Sequence, residues 1–153
     1  MITMKTKYAL KAMYRLAISP PGEPVLIADI AEREDIPKKF LELILSELKQ
    51  HGFLKSRKGR GGGYQLARDP KSISLASLIR VIEGPIAPVP CLSRTAYERC
   101  EGCRDEETCA VRLGLHAAYQ DWVKALEGTS LQDVLGRVDE AAGKLTLGTR
   151  YSI

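Results

Sequence analysis

The chain has 153 residues, 44% hydrophobic and 27% charged, with four cysteines and a net charge of +4. That length suits one domain with a real core, and no run of about 18 apolar residues is present to cross a membrane. Residues 1–66 hold 12 Lys and Arg against 7 Asp and Glu, while the remainder is close to balanced, so the first half is the part suited to an anionic partner.

The N-terminal stretch carries lysines inside an apolar pattern, unlike the apolar block of a signal peptide. A cytoplasmic protein is expected, in which reduced, clustered cysteines more often bind metal or do redox chemistry than form bridges. Thr3 to Ser19 reads as a first helix, with Tyr8, Ala9, Ala12, Met13, Leu16 and Ala17 at helical spacing and "SPPGEP" as its stop. "LIADIAERED" is a short second helix with Ile27, Ile30 and Ala31 inward. The third, "IPKKFLELILSELKQHGFL", has Pro37 in its first turn, a buried stripe of Phe40, Leu41, Ile44, Leu45 and Leu48, and a stop at Gly52. "FLKSRKGRGGGYQLARDP" reads as two strands, about 53–58 and 63–67, around a cationic tip containing Gly61 to Gly63. Ser74 caps a fourth helix that Gly84 and Pro85 end. Residues 86–106 show no periodicity and read as a loop. Asp105 or Thr108 opens a long helix to about Glu127, in which Val111, Leu115, Ala118, Trp122 and Ala125 form a near-heptad seam. "TSLQDVLGRV" is a short following helix, and 138–153 a loosely held tail.

Three helices, a short "DIP" connection and a basic-tipped hairpin are the order of a winged helix-turn-helix, here residues 1–84. The expected fold class is mainly α with a small β-hairpin. The third helix would enter the major groove and the wing tip would reach the phosphates or the minor groove. Lys38 and Lys39 start that helix, where the dipole also favours phosphate. Glu42 can accept a hydrogen bond from cytosine N4. Arg57, Lys58 and Arg60 supply the wing's cations, and its glycines, Gly61 among them, let the backbone approach a duplex. Lys5 and Lys7 add charge from the first helix.

The cysteines run Cys91-x8-Cys100-x2-Cys103-x5-Cys109. Iron–sulfur clusters and tetrahedral zinc sites both take about four such thiolates, and a thiol or disulfide switch is a further reading. The Cys100–Cys103 pair can put both sulfurs on one ion, and a helix N-terminus at Cys109 favours the thiolate. Arg94, Arg99, Arg104 and Arg112 would help balance an anionic cluster. His51 and His116 read as surface or helix-packing histidines, and Tyr14, Tyr64 and Trp122 as core or interface aromatics. An electron carrier is the rival class, but ferredoxin runs have shorter, regular spacings and need no basic wing. No nucleophile–base constellation appears, and "GRGGG" lacks the Lys-Ser/Thr of a P-loop, so no enzymatic activity and no small-molecule substrate are expected.

"MKTKYALKAMYRLA", "IADIAEREDIPKKFLELILSELKQHGFLKSRKGRGGGYQLARDP" and the cysteine loop together resemble the Rrf2 family of bacterial transcription regulators, over about residues 1–135. The most telling pieces are Phe40–Glu42 and the wing Gly59–Ala67. The resemblance implies a homodimer that binds double-stranded DNA at palindromic operators and pairs through the long helix. It therefore casts 85–106 as a cluster-binding loop and 107–137 as the dimerisation helix with its short follower. It also implies an iron–sulfur cluster, [2Fe–2S] or [4Fe–4S], whose state controls DNA binding. The family's three cysteines match Cys91, Cys103 and Cys109. Arg112 stands where some members place a histidine ligand, which leaves Cys100, His116 or a residue near the partner's N-terminus as the fourth ligand.

Overall fold

A computed structural model describes the backbone of residues 2–149 and the side chains of residues 2–144. Helices α1 (Met4–Ala17), α2 (Ile27–Glu34) and α3 (Lys38–Gln50) precede an antiparallel hairpin of β1 (Leu54–Arg57) and β2 (Gly63–Leu66). Helices α4 (Leu75–Glu83), α5 (Ala110–Gly128) and α6 (Leu131–Thr149) complete the chain. This is the expected winged helix-turn-helix with a long C-terminal helix. The α2–α3 turn is tight because Asp35 takes a left-handed conformation at φ +52, which aspartate tolerates, and Ile36 behind it is buried.

The first core gathers Ala9, Ala12, Met13 and Leu16 of α1, Ile30 of α2, and Leu41, Ile44, Leu45 and Leu48 of α3. Phe53, Leu54, Ile73, Leu78 and Ile82 close it. Phe40 is not part of the buried stripe: it lies in the first turn of α3 at the edge of the apolar arc, about 40° around the helix from Ile44, and stays exposed. Ser74 caps α4 as expected, its hydroxyl accepting from the Ser77 N–H at 3.1 Å, and Gly84 at φ +85 ends it.

The wing is built more tightly than a plain hairpin. Leu54 faces Leu66 and Arg57 faces Gly63 in register, while Val25 exchanges two backbone hydrogen bonds with Tyr64, at 2.8 and 2.9 Å, as an isolated bridge beside the hairpin. A Cβ at Gly62 would lie 2.4 Å from the Arg57 carbonyl oxygen, and one at Gly63 (φ +139) 2.2 Å from that of Val25. These two glycines are needed for the wing's own backbone contacts. Gly63→Ala should therefore destabilise the protein by about 1–3 kcal/mol through strain. A lower thermal midpoint with faster hydrogen exchange at Tyr64 is the expected result; an unchanged midpoint would mean that the β2 backbone relaxes freely.

Two expectations near the C-terminus are corrected. Helix α5 begins at Ala110, not at Asp105 or Thr108, and Cys109 is its N-cap. The Asp105 carboxylate accepts from the Glu107 N–H at 3.0 Å and the Thr108 hydroxyl at 2.6 Å, a local turn that competes with helix. The short following helix instead continues as α6 through Thr149, so the predicted tail from 138 is helical that far, and 150–153 lie outside the described residues. Leu131 at the start of α6 is buried in the first core. Backbone bonds from Leu75 N–H to Thr129 and from Leu131 N–H to Ile73, 2.9 and 2.8 Å, zip the α5–α6 corner to the start of α4.

Candidate metal centre and nucleic-acid interface

Helix α3 carries Lys39, Glu42 and Leu43 on its outward side and Lys38 at its first position, all exposed. Arg57, Lys58 and Arg60 are exposed on the wing, with Gly61 at φ +72 beside them. Apart from Lys5 and Lys7 on α1, the predicted nucleic-acid residues thus lie on α3 and the wing. Lys7 is also exposed, whereas Lys5 is held 2.6 Å from the Glu47 carboxylate, tying α1 to α3. Arg68, which the sequence reading passed over, donates to the carbonyls of Gly52 and His51 at 2.9 and 3.0 Å and lies 4.5 Å over the Phe53 ring. It satisfies the open C-terminal end of α3 while anchoring the strand after the wing. Only its place after β2 hints at this in the sequence.

All four cysteines line one cavity of about 230 Å³, together with Glu106 and Arg112. That is many times the room one water needs, about 10–15 Å³. Cys91 lies in a 3₁₀ turn, Pro90–Leu92, and is buried in a second core with Ala76, Ile79, Tyr119 and Val123. Cys100 packs against the same cluster. A turn bonded from Cys103 N–H to the Cys100 carbonyl at 3.1 Å, with Gly102 at φ +70, brings the pair round. Loss of water around Cys91 pushes its thiol pKa up, and the neighbouring Cys100 thiol adds to this, while the Arg112 guanidinium opposes it. Cys109 stands at the positive end of α5, one residue before the helix.

Among the described residues, no three His, Cys, Asp or Glu side chains are already gathered closely enough to hold an ion. The cysteines share a cavity without being drawn to one point. The donor chemistry fits an iron–sulfur cluster or zinc: four soft sulfurs, a cation at the rim, and a loop with few backbone bonds to resist adjustment. His116 is outside the cavity lining; it is exposed, with its Nε2 3.1 Å from Gln120 Nε2. It lies seven residues, about 10 Å, along α5 from Cys109. Of the four arginines expected near a cluster, Arg112 lines the cavity, and Arg99 braces the loop by donating to the carbonyls of Cys103 and Arg104 at 3.1 and 3.0 Å. Arg104 is exposed, and Arg94 turns to Glu127 at 3.5 Å.

Two polar contacts join this loop to its surroundings, and neither was legible in the sequence because their partners lie far apart in the chain. Glu127 at the end of α5 meets Arg80 of α4 at 2.6 Å and Arg94 of the loop. Glu83, the last residue of α4, accepts from Thr3 N–H at 2.7 Å, Thr3 Oγ1 at 2.6 Å and Thr6 Oγ1 at 2.5 Å. These bonds hold its carboxyl below the usual range. The start of α1 is thereby latched to the segment that leads into the cysteine loop.

On α5, Tyr119 and Val123 face inward, whereas Val111 (57%), Leu115 (39%) and Trp122 (44%) are exposed, as are Ala118 and Ala125. Leu115, Ala118 and Trp122 line an open apolar cleft of about 480 Å³ with Ile2, Ile79 and Ile86.

A winged helix-turn-helix with a basic wing, followed by a long helix with an uncovered apolar seam, is the architecture of a DNA-binding transcription regulator. The chain belongs to the Rrf2 family: the family pattern described as "Iron-dependent Transcriptional regulator" matches residues 2–137. It is 42% identical over 145 residues to an rrf2-like HTH-type transcriptional regulator of Rhodobacter capsulatus, covering 93% of this chain and 97% of that one. It is 31% identical to the HTH-type transcriptional regulator IscR of Escherichia coli over 90% of this chain and 78% of IscR. Among solved structures it is similar to CymR (YrzC), the global cysteine regulator of B. subtilis, with a TM-score of 0.74 and 30% identity over 90% and 97% of the two chains. It is likewise similar to T. potens IscR, with a TM-score of 0.72 and 27% identity over 92% and 90%. Among the described residues no helix is long and apolar enough to cross a membrane.

Proposed function

We propose that this regulator acts in the cytoplasm as a homodimer on a palindromic operator, and that an iron–sulfur cluster on Cys91, Cys100, Cys103 and Cys109 controls its DNA binding. The observation that carries this reading is the single cavity onto which all four cysteines open, set between the end of α4 and the start of α5. The similarity to IscR and the iron-dependent description of the family support it. When bound, such a cluster supplies a group sensitive to redox poise, nitric oxide or iron supply.

The chain's own residues would transmit the change. Cys91 is part of the core that joins α4 to α5, so drawing its sulfur toward Cys103 and Cys109 repacks Tyr119 and Val123. Arg94 and Arg80 on Glu127 carry the loop's position to both helices. The Glu83 latch on Thr3 and Thr6 extends it to α1, and Lys5 on Glu47 from α1 to α3. An order–disorder change in the loop thus alters the angle between two DNA-reading halves. Lys38, Lys39 and the wing cations Arg57, Lys58 and Arg60 hold phosphates, and Glu42 addresses a cytosine.

Protein purified without oxygen should contain iron and sulfide, absorb visible light and bind a selected operator with an affinity that changes when the metal is removed. Colourless protein with stoichiometric zinc would assign a structural metal site instead. A thiol–disulfide switch is the second reading. It is favoured by the packing of Cys100 against the core that holds Cys91, and by the likeness to CymR, a cysteine regulator. Metal-free protein in which Cys91 and Cys100 alkylate only after reduction would select it.

A further inference from the structure

Helix α3 displays two large apolar side chains to solvent. Phe40 is 56% exposed, and Leu43, at 67%, is the most exposed large hydrophobic among the described residues. They are three residues apart and so neighbours on one side of the helix. Neither belongs to the α5 seam or its cleft. Lys39 precedes Leu43 by one turn and Glu47, paired with Lys5, follows it by one, so the apolar pair is flanked by charge. The wing places Arg57, Lys58 and Arg60 beyond it, all exposed.

An apolar patch with Lys39 on the same helix and Arg57, Lys58 and Arg60 on the adjoining wing complements a surface with anionic edges and an apolar floor, and the DNA major groove is such a surface. Its phosphates lie at the rims, and the one apolar group that base pairs present there is the thymine 5-methyl. Leucine and phenylalanine can neither donate nor accept a hydrogen bond, so in the groove they distinguish bases by that methyl alone. We propose that Leu43, with Phe40 beside it, reads thymine methyl groups in each operator half-site. This rests on α3 being the helix that enters the groove. Glu42 on the other side of α3 would then specify a cytosine by hydrogen bonding, giving each half-site one polar and one apolar determinant.

The test uses the full-length protein on duplexes selected from a random pool, with each thymine then replaced singly by deoxyuridine, which lacks only the methyl. At one or more thymines per half-site the wild type should bind about fourfold more weakly, the worth of one buried methyl-sized group. Leu43→Ala should bind the thymine and deoxyuridine duplexes equally there. Leu43→Gln should shift the preference toward adenine, which glutamine can bond through N6 and N7. Both side chains are exposed, so thermal unfolding should not change. A pool without required thymines, no deoxyuridine effect in the wild type, or an effect that persists in both Leu43→Ala and Phe40→Ala overturns the proposal. Lys39→Ala and Glu42→Ala separate the two levels. If they leave affinity and sequence preference untouched, α3 is not the reading helix. If they alter both while deoxyuridine has no effect, only the methyl contact falls.

Discussion

Cys109→Ser, purified without oxygen, should hold little or no iron and lose the visible absorption of an iron–thiolate chromophore while staying folded. The substitution is clean because Cys109 is the N-cap of α5 and its side chain makes no capping hydrogen bond. Serine is a favoured N-cap residue, so the helix loses nothing and can gain a cap. Cys91→Ser is less clean, since it puts a hydroxyl into the core beside Ala76, Ile79 and Val123, at a cost of about 1–3 kcal/mol if unpaired. Operator affinity in Cys109→Ser should shift to that of the metal-free wild type, by about 5- to 150-fold if the coupling has the usual size of about 1–3 kcal/mol. Cys100→Ser decides the fourth ligand. Iron lost to the same extent places Cys100 in the set, whereas iron retained there and lost in His116→Ala would move the ligand along α5. Full iron occupancy in Cys109→Ser overturns the cluster assignment.

Glutamate at both Leu115 and Trp122 should convert the proposed dimer to monomer. Leu115 and Trp122 expose 39% and 44% of their surface, and the cleft they border is apolar and open. Carboxylates placed there would have to be buried unpaired in any helix-to-helix contact, which association cannot sustain. Tyr119 and Val123, which hold α5 to its own chain, are untouched, so the far-ultraviolet spectrum should be unchanged. Light scattering would report the mass. Binding to an operator with two half-sites should weaken by about 10²- to 10⁴-fold, the gain normally supplied by linking two modules, while the weak affinity for a single half-site is retained. A variant that remains dimeric would exclude the α5 seam as the interface.

How far these sites could be read from the residues alone varied with the kind of signal. The four cysteines stood out by spacing, yet nothing local said that Cys91 would be buried against α5 while the other three stay half-exposed on the loop. The wing's glycines were visible, but the close approach of Gly63 to Val25 depends on a segment nearly forty positions earlier. The start of α5 was misplaced because Thr108 and Asp105 look like helix caps. Their hydrogen bonds close a turn within 105–108 instead.

By itself the sequence determined the element order, the helix stops at Gly52 and Gly84, the cap at Ser74 and the cationic wing. These follow from turn chemistry, capping and periodicity, which act over a few residues. Only the tertiary structure decided which apolar faces stay uncovered. Phe40 had the composition of a core residue and Leu115 the spacing of one, but burial depends on which neighbour covers a face. Here α1 and α4 cover one side of α3, and α4 with the cysteine loop covers one side of α5. The surfaces left over, on α3 and on α5, are the ones assigned here to DNA and to the second subunit.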